Sequence, residues 1–324
     1  MKAALVTEWG RNPSYTDVPD PQPRDGAEVA TVEASALTNL TRALVSGKHY
    51  ASKEIALPAI PGVDGVVRLG DGRRVYANAA APSGMLAQRT LVQPLGGIDV
   101  PDHVDSVTAA AIPNPGLSAW LALSYAAAVK PGDHVLVLGA TGVTGSVAVQ
   151  LAKSVFKAGR VVVAGRDRGR LDWLRSVGAD EAIALGVDDL QARVTERHTE
   201  KPFDAVLDYL WADPATQVLT ALAGSHPAAH YHATRFVQIG SMAGPTLNLD
   251  AGVLRGTGIT LSGVGIGSVP LDVLISARTE ALPRLFDMVA AGELELRTQA
   301  RALADVEQVW ERAEPSGTRV VLTP

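Results

Sequence analysis

The run Val135-Leu136-Val137-Leu138-Gly139-Ala140-Thr141-Gly142-Val143-Thr144-Gly145, leading into Ser146-Val147-Ala148-Val149-Gln150-Leu151-Ala152, limits what this chain can fold into more than any other feature. An apolar stretch of strand length meets a turn of small residues and then an apolar stretch of helix length. That is the context in which a glycine-rich loop accepts a dinucleotide pyrophosphate. Aligned to the pattern G-x-G-x-x-G, Ala140 takes the first position, Gly142 the second and Gly145 the third. Gly142 lets the backbone approach the phosphates, the N–H groups at the helix start attract their charge, and Gly145 lets helix and strand pack closely. Any tight strand-to-helix turn also asks for glycine. The flanking strand and helix, and a second strand beyond them, give the motif its weight. Ala140, Thr141, Gly142, Val143, Thr144 and Gly145 are the expected pyrophosphate-binding residues.

The second strand ends Val161-Val162-Val163-Ala164-Gly165-Arg166-Asp167-Arg168-Gly169-Arg170. NAD-binding folds place an acid at this strand end to hold the ribose 2′-hydroxyl. Gly165 stands there instead, and Arg166 follows. A carboxylate repels a 2′-phosphate, whereas a guanidinium binds it with paired hydrogen bonds. Arg166, supported by Arg170, therefore points to NADPH. Two other readings stay open: Asp167 reaches the ribose if the register is off by two, or the arginines are a solvated helix start.

The rest of the chain falls into three textures. Residues 1 to about 115 hold short strand-like stretches (Lys2–Thr7, Glu28–Ala34, Gly65–Leu69, Arg74–Ala77, Ala87–Val92) between Pro- and Gly-rich turns, as in a small barrel or sandwich. Helical stretches at Leu40–Ser46 and around Ser106–Ile112 interrupt them. From about 117 to 263, strands His134–Leu138, Arg160–Ala164, Ala182–Leu185, Asp204–Leu207, Arg235–Ile239 and Ile259–Ser262 alternate with amphipathic runs Gly145–Phe156, Arg168–Val177, Asp188–His198 and Pro214–Leu222. Apolar strands between longer helices mark a parallel sheet covered on both faces. Beyond about 270 come two helical runs and a closing strand, Thr318–Leu322. A length of 324 residues suits about two domains at roughly 150 residues each.

Composition excludes several function classes. The chain has no cysteine, which removes disulfides, thiolate zinc sites, iron–sulfur clusters and a cysteine nucleophile together. A net charge of −5 argues against nucleic acid as a partner. No apolar run reaches membrane-spanning length, and the opening residues meet Glu8 and Trp9 too soon for a signal-peptide core. A cytoplasmic protein with a small-molecule substrate and no membrane partner is expected.

The motifs, in their order, resemble those of the medium-chain dehydrogenase/reductase superfamily, in its zinc-independent quinone oxidoreductase-like branch. The resemblance runs through Met1-Lys2-Ala3, Ile60-Pro61-Gly62-Val63-Asp64-Gly65-Val66-Val67, Ala109-Ala110-Ala111-Ile112-Pro113, the glycine loop, Val177-Gly178-Ala179-Asp180, Phe203-Asp204-Ala205-Val206-Leu207-Asp208, Phe236-Val237-Gln238-Ile239-Gly240-Ser241 and Val320-Val321-Leu322-Thr323. It implies a Rossmann-type doubly wound parallel sheet (117–263) inserted into a GroES-like β-rich catalytic domain (1–116 and 264–324), with the active site in the cleft between them. It also implies a homodimer, and reduction of a quinone or α,β-unsaturated carbonyl by NADPH without metal. The alternative is an NADPH-binding, crystallin-like protein with little catalysis.

Departures from the family matter as much. Zinc-using relatives carry cysteine near the turn that here reads Leu37-Thr38-Asn39-Leu40-Thr41, and Gly-His-Glu where this chain has Gly62-Val63-Asp64. Thr38 and Val63 cannot replace a thiolate and an imidazole, so no metal is expected. The branch often shows Asn-x-x-Asp where this chain has Thr38-Asn39-Leu40-Thr41, with Asn39 displaced by one position. Thr38 or Thr41 is then the candidate group to hydrogen-bond the nicotinamide ribose. The resemblance places a tyrosine near the nicotinamide. Tyr50, in Gly47-Lys48-His49-Tyr50, fills that role with one extra residue in the turn, either as proton donor or as a cleft wall. His49 is the other candidate acid, though a surface-loop histidine explains it as well. Asn114, in the hinge Asn114-Pro115-Gly116, either faces the substrate oxygen or caps the next helix. Ile239, Gly240 and Ser241, with Gly265, Ile266 and Gly267, resemble the segments that contact the nicotinamide ribose and carboxamide. One cluster, His226, His230 and His232, fits no family motif; Pro227 and its small neighbours favour a solvated loop over a metal site.

Overall fold

The computed structural model describes residues 1–24, 26–224 and 231–324, with Tyr50 described by its backbone. His226 and His230 lie outside the described residues. The chain divides into two compact units, one formed by Met1–Asn114 with Leu282–Pro324 and the other by Pro115–Ala281.

The second unit is built on six parallel strands: β1 (His134–Leu138), β2 (Arg160–Gly165), β3 (Glu181–Ala184), β4 (Ala205–Asp208), β5 (Ala233–Gln238) and β6 (Gly258–Gly263). They pair in the order 3-2-1-4-5-6, all in parallel register, which is the Rossmann order. Every residue of β1 and β4 is buried, as strands covered on both faces require. Helices α1 (Val143–Ser154), α2 (Arg168–Ser176), α3 (Leu190–Glu200) and α4 (Ala212–Gly224) follow β1 to β4 in turn. Asp167 caps α2 by accepting from the Arg170 N–H, and Asp189 caps α3 in the same way. One core joins Leu136, Leu138, Val162 and Val206 to Leu190 and Val194 of α3 and Val218 and Leu222 of α4. Burying such side chains stabilises the fold by roughly 1.5–3 kcal/mol each.

The first unit carries a separate seven-stranded mixed sheet. Its order runs Arg297–Ala302, Thr318–Thr323, Glu28–Ala36, Asp64–Arg68, Arg74–Asn78 and Ile98–Asp99, with Arg89–Val92 pairing beside Glu28–Thr31. A two-stranded ribbon joins Lys2–Leu5 to Ser14–Asp17. Val32, Val67, Val75 and Val92 share one core cluster.

Some elements differ from the sequence reading. Asn114-Pro115-Gly116, expected as a hinge, lies within the helix Pro113–Leu121, because Pro113 and Pro115 fall in its first turn where a missing N–H costs nothing. Arg297–Ala302 has no apolar alternation, and it is a strand because it pairs in parallel along its whole length with Thr318–Thr323. Residues 264–281, expected with the terminal segments, group with the second unit. There Leu271–Ser276 is a helix that the wide turn Ala277–Ala281 carries directly into Leu282–Ala290.

Candidate active site

The glycine loop is shaped by close approach. Gly139 sits at φ 78°, a left-handed backbone that other residues avoid, and its N–H and that of Ala140 both donate to the Ala164 carbonyl at the end of β2. Gly142 is the N-cap residue of α1. A Cβ on Gly145 would lie 2.5 Å from the Gly139 carbonyl oxygen and 2.7 Å from the Ala140 Cα, so only glycine lets α1 start against the end of β1. The first N–H groups of α1, at Val143, Thr144 and Gly145, have no acceptor within the helix. With the helix dipole behind them they form a donor set for an anion. The charge of a pyrophosphate suits this donor set.

At the end of β2 the absent acid has a steric cause: a Cβ on Gly165 would lie 2.4 Å from Cγ2 of Thr141. Thr141 is buried, and its side chain fills the space an acid would need. Arg166 is exposed and makes no hydrogen bond or ion pair among the described residues. Asp167 is spent on capping α2, with Oδ1 3.0 Å from the Arg170 N–H, which argues against its use on a ribose. The Arg170 guanidinium is buried and stacks over the Trp173 ring at 3.9 Å, a packing role that the sequence reading did not foresee.

Beyond β5, Ile239 and Gly240 both donate their N–H groups to the Asp208 carbonyl, and Ser241 is exposed. A Cβ on Gly240 would meet the Tyr209 carbonyl oxygen at 2.8 Å. Gly265, Ile266 and Gly267 form an exposed turn in which the Gly265 N–H donates to Ser268 Oγ at 2.9 Å. Asp208 ends β4 fully buried, and burial pushes its carboxyl up to about 6 against two backbone hydrogen bonds that favour the charge.

In the first unit, Thr38 is buried and caps the helix Asn39–Val45, its Oγ1 accepting from the Thr41 N–H at 3.1 Å. Asn114, in the first turn of Pro113–Leu121, accepts at Oδ1 from Arg319 Nη2 at 3.1 Å. Arg319 also donates to the Leu37 carbonyl at 3.4 Å, and burial pushes its guanidinium down to about 10. It therefore stays charged at neutral pH and ties Asn114 to the turn before Thr38. Sequence reasoning missed Arg319; the signal was a lone charge opening the apolar closing strand. The backbone of Tyr50 begins the short helical turn Tyr50–Glu54, capped by His49 Nδ1 accepting from the Ala51 N–H.

These donors do not fit zinc. The Thr38 hydroxyl is committed to its helix cap, and Val63 offers no lone pair. Among the described residues no group of three or more His, Asp or Glu side chains is placed to hold a metal ion. His232 lies outside any such group, with Nε2 3.3 Å from Asp204 Oδ1, a carboxylate near in space that sequence distance hid. No helix among the described residues is long and apolar enough to cross a membrane.

Comparison with known proteins adds independent findings. Residues 143–286 match the family model described as zinc-binding dehydrogenase. The whole chain aligns at 28% identity with the whole of a probable NADPH-dependent quinone reductase, tdiC, of Emericella nidulans. It is 32% identical to the 2-methylene-furan-3-one reductase of Solanum lycopersicum over 56% of this chain, spanning about half (52%) of that relative's length. Among solved structures, the quinone oxidoreductase of Thermus thermophilus, also determined in complex with NADPH, is 27% identical with a TM-score of 0.79, and the match covers 100% of both chains.

Proposed function

The chain belongs to the medium-chain dehydrogenase/reductase superfamily, in its quinone oxidoreductase-like branch, and on that premise we propose that it is an NADPH-dependent reductase of quinones or α,β-unsaturated carbonyls. The observation that carries the reading is the joint geometry of Gly145, which admits a helix start only against a bare backbone, and Gly165, which has no room for the acid an NAD site uses. The middle unit is then the dinucleotide-binding domain, and the two chain ends together are the catalytic domain.

When bound, NADPH supplies a hydride to the electrophilic carbon of the substrate. The residues of the chain do the rest. The N–H groups of Val143, Thr144 and Gly145, with Ala140, Thr141 and Gly142 shaping the loop, hold the pyrophosphate. Arg166 at the mouth of Gly165 holds the 2′-phosphate through charge-assisted hydrogen bonds, and Arg170 supports it by packing on Trp173. Ile239, Gly240 and Ser241, with Gly265, Ile266 and Gly267, present backbone to the nicotinamide end. Asn114 accepts at Oδ1 from Arg319, which leaves its amide NH₂ as the donor for a substrate oxygen. Thr38 holds the start of its helix in place. Tyr50 delivers the proton that an enolate needs after hydride arrival. Thr38 and Val63 offer no ligand set for a metal that would acidify an alcohol, so reduction of an already electrophilic alkene or quinone is the chemistry this donor set serves.

We also propose a homodimer. Among the described residues strand β6 pairs only with β5 and stands at the sheet edge, and Ile266 and Leu271 beyond it are 73% and 72% exposed. The cytoplasm is the proposed compartment. The function is tested by following NADPH oxidation at 340 nm with a small panel of quinones and enones. Turnover with at least one class is expected, whereas tight NADPH binding with no turnover across the panel would favour a binding protein.

A further inference from the structure

Asp208 closes β4 with its side chain fully buried. The order 3-2-1-4-5-6 puts that strand end beside the switch between β1 and β4, where a doubly wound sheet takes its ligand. The carboxylate accepts from the Leu210 N–H at 2.8 Å and from the Trp211 N–H at 3.0 and 3.2 Å to its two oxygens. The backbone carbonyl of the same residue accepts from Ile239 and Gly240 at 2.8 and 3.1 Å.

The path that follows is not one the chain takes unaided. Trp211 and Ala212 sit at φ 61° and 48°, two successive residues with side chains in the left-handed region that glycine ordinarily fills. A carboxylate that grips two consecutive N–H groups holds such a turn where glycine is absent. The dipeptide Tyr209–Leu210, fixed in this way, carries contacts in two directions. Its carbonyls accept from Met242 and Ala243 at 3.3 and 2.8 Å, just past Ile239–Ser241. Toward the phosphate loop, a Cβ on Gly139 would lie 3.0 Å from Leu210 Cδ2 and 3.3 Å from the Tyr209 Cβ.

We infer that Asp208 is a positioning residue for the dinucleotide, setting through the 208–212 turn the spacing between the glycine loop and the Ile239–Ser241 segment. This rests on the reading of those two segments as the walls of the cofactor site. Asp208 acts on the shape of both walls and not on the 2′-phosphate, so its effect is the same for NADPH and NADH. That separates it from Arg166, whose effect is confined to NADPH.

The test is fluorescence titration of NADPH and of NADH into wild type, Asp208→Asn and Asp208→Ala, with thermal melting followed on the same samples. Asn keeps one neutral acceptor oxygen and removes a buried charge. Its melting temperature at pH 8 holds or rises, while both affinities fall by a common factor of about threefold to tenfold, as for loss of charge assistance to backbone hydrogen bonds. Asp208→Ala, with no acceptor, weakens both by more than Asp208→Asn does. If the alanine variant fails to fold, the asparagine variant decides alone. Unchanged affinities in Asp208→Asn, or a loss confined to NADPH, would overturn the positioning role. Absence of NADPH binding by wild type would instead overturn the cofactor reading beneath it.

Discussion

Gly165 and Thr141 compete for the same space: a Cβ on Gly165 would fall 2.4 Å from Cγ2 and 2.8 Å from Oγ1 of Thr141. The missing acid at the end of β2 is therefore part of a packed pair, not an isolated substitution. Introducing an acid there to favour NADH should fail by itself. Gly165→Asp is expected to lower stability by roughly 1–3 kcal/mol, the range for overpacking, without gaining NADH affinity. Adding Thr141→Ala leaves a tight but tolerable 3.1 Å contact to Cβ, and the double variant should recover the melting temperature and shift preference toward NADH. Melting curves and titrations of both nucleotides check this; a stable, NADH-preferring single variant would refute the coupling.

Arg166 stands exposed beside that pair, uncommitted to any described partner. Arg166→Ala should weaken NADPH by about ten- to a hundredfold, equivalent to roughly 1.5–3 kcal/mol for one charge-assisted contact. NADH, which lacks the 2′-phosphate, should bind as before. Equal binding of the two nucleotides by wild type would show that Arg166 reads nothing.

The glycine loop was legible as a strand-to-helix turn because its information is local: Gly145 is demanded by Gly139 and Ala140 a few residues away, and Gly165 by Thr141 at the end of the neighbouring strand. The parallel, doubly wound sheet followed from alternating strand and helix runs, since apolar strands between longer helices are buried on both faces. What stayed hidden depends on partners distant in sequence. Asn114 meets Arg319 from 205 residues away, and Arg297–Ala302 is a strand only because Thr318–Thr323 lies beside it. Arg170 read from its position as support for Arg166, and what that reading missed is local: the ring of Trp173, one helical turn on, packs against its guanidinium. Asp208 was recognised as part of a motif, but its grip on Leu210 and Trp211 needed the turn itself.

Activity should survive prolonged dialysis against a strong chelator, and elemental analysis should find no stoichiometric zinc. The Thr38 hydroxyl is occupied by the Thr41 N–H, and Val63 has no donor atom. One tightly held zinc per chain with chelator-sensitive turnover would reverse this.

Tyr50→Phe should lower turnover on enones by about a hundredfold if the phenol is the proton donor, the usual contribution of a general acid. Quinones should suffer less, because the hydroquinone anion is stable enough for solvent to protonate it. NADPH affinity, measured by fluorescence, should barely change. An unaltered enone rate would leave water as the donor.

Stability against pH should show two opposed buried groups of the second unit. His134 is fully buried with Nδ1 2.8 Å from the Lys201 carbonyl, and burial pushes its imidazole below the usual value of 6.5. As pH falls below 6.5 the unfolded chain gains a proton that folded His134 resists, so its contribution to stability is lost on the acid side. Asp208 works the other way. Its carboxyl, raised from 3.8 to about 6, holds a proton in the folded state that the unfolded chain has released, so stability from this group is present at low pH and lost as pH rises through about 6. That difference is on the order of 3 kcal/mol between its two protonation states. Between pH 7 and 5.5 the two trends partly cancel in wild type. Asp208→Asn removes one of them and should steepen the fall in melting temperature over that range. His134→Asn removes the other, keeps a donor for the Lys201 carbonyl, and should flatten or invert the fall. Melting temperatures of the three proteins at half-unit steps from pH 5 to 8 decide the matter, and three curves of the same shape would mean that neither group titrates with folding.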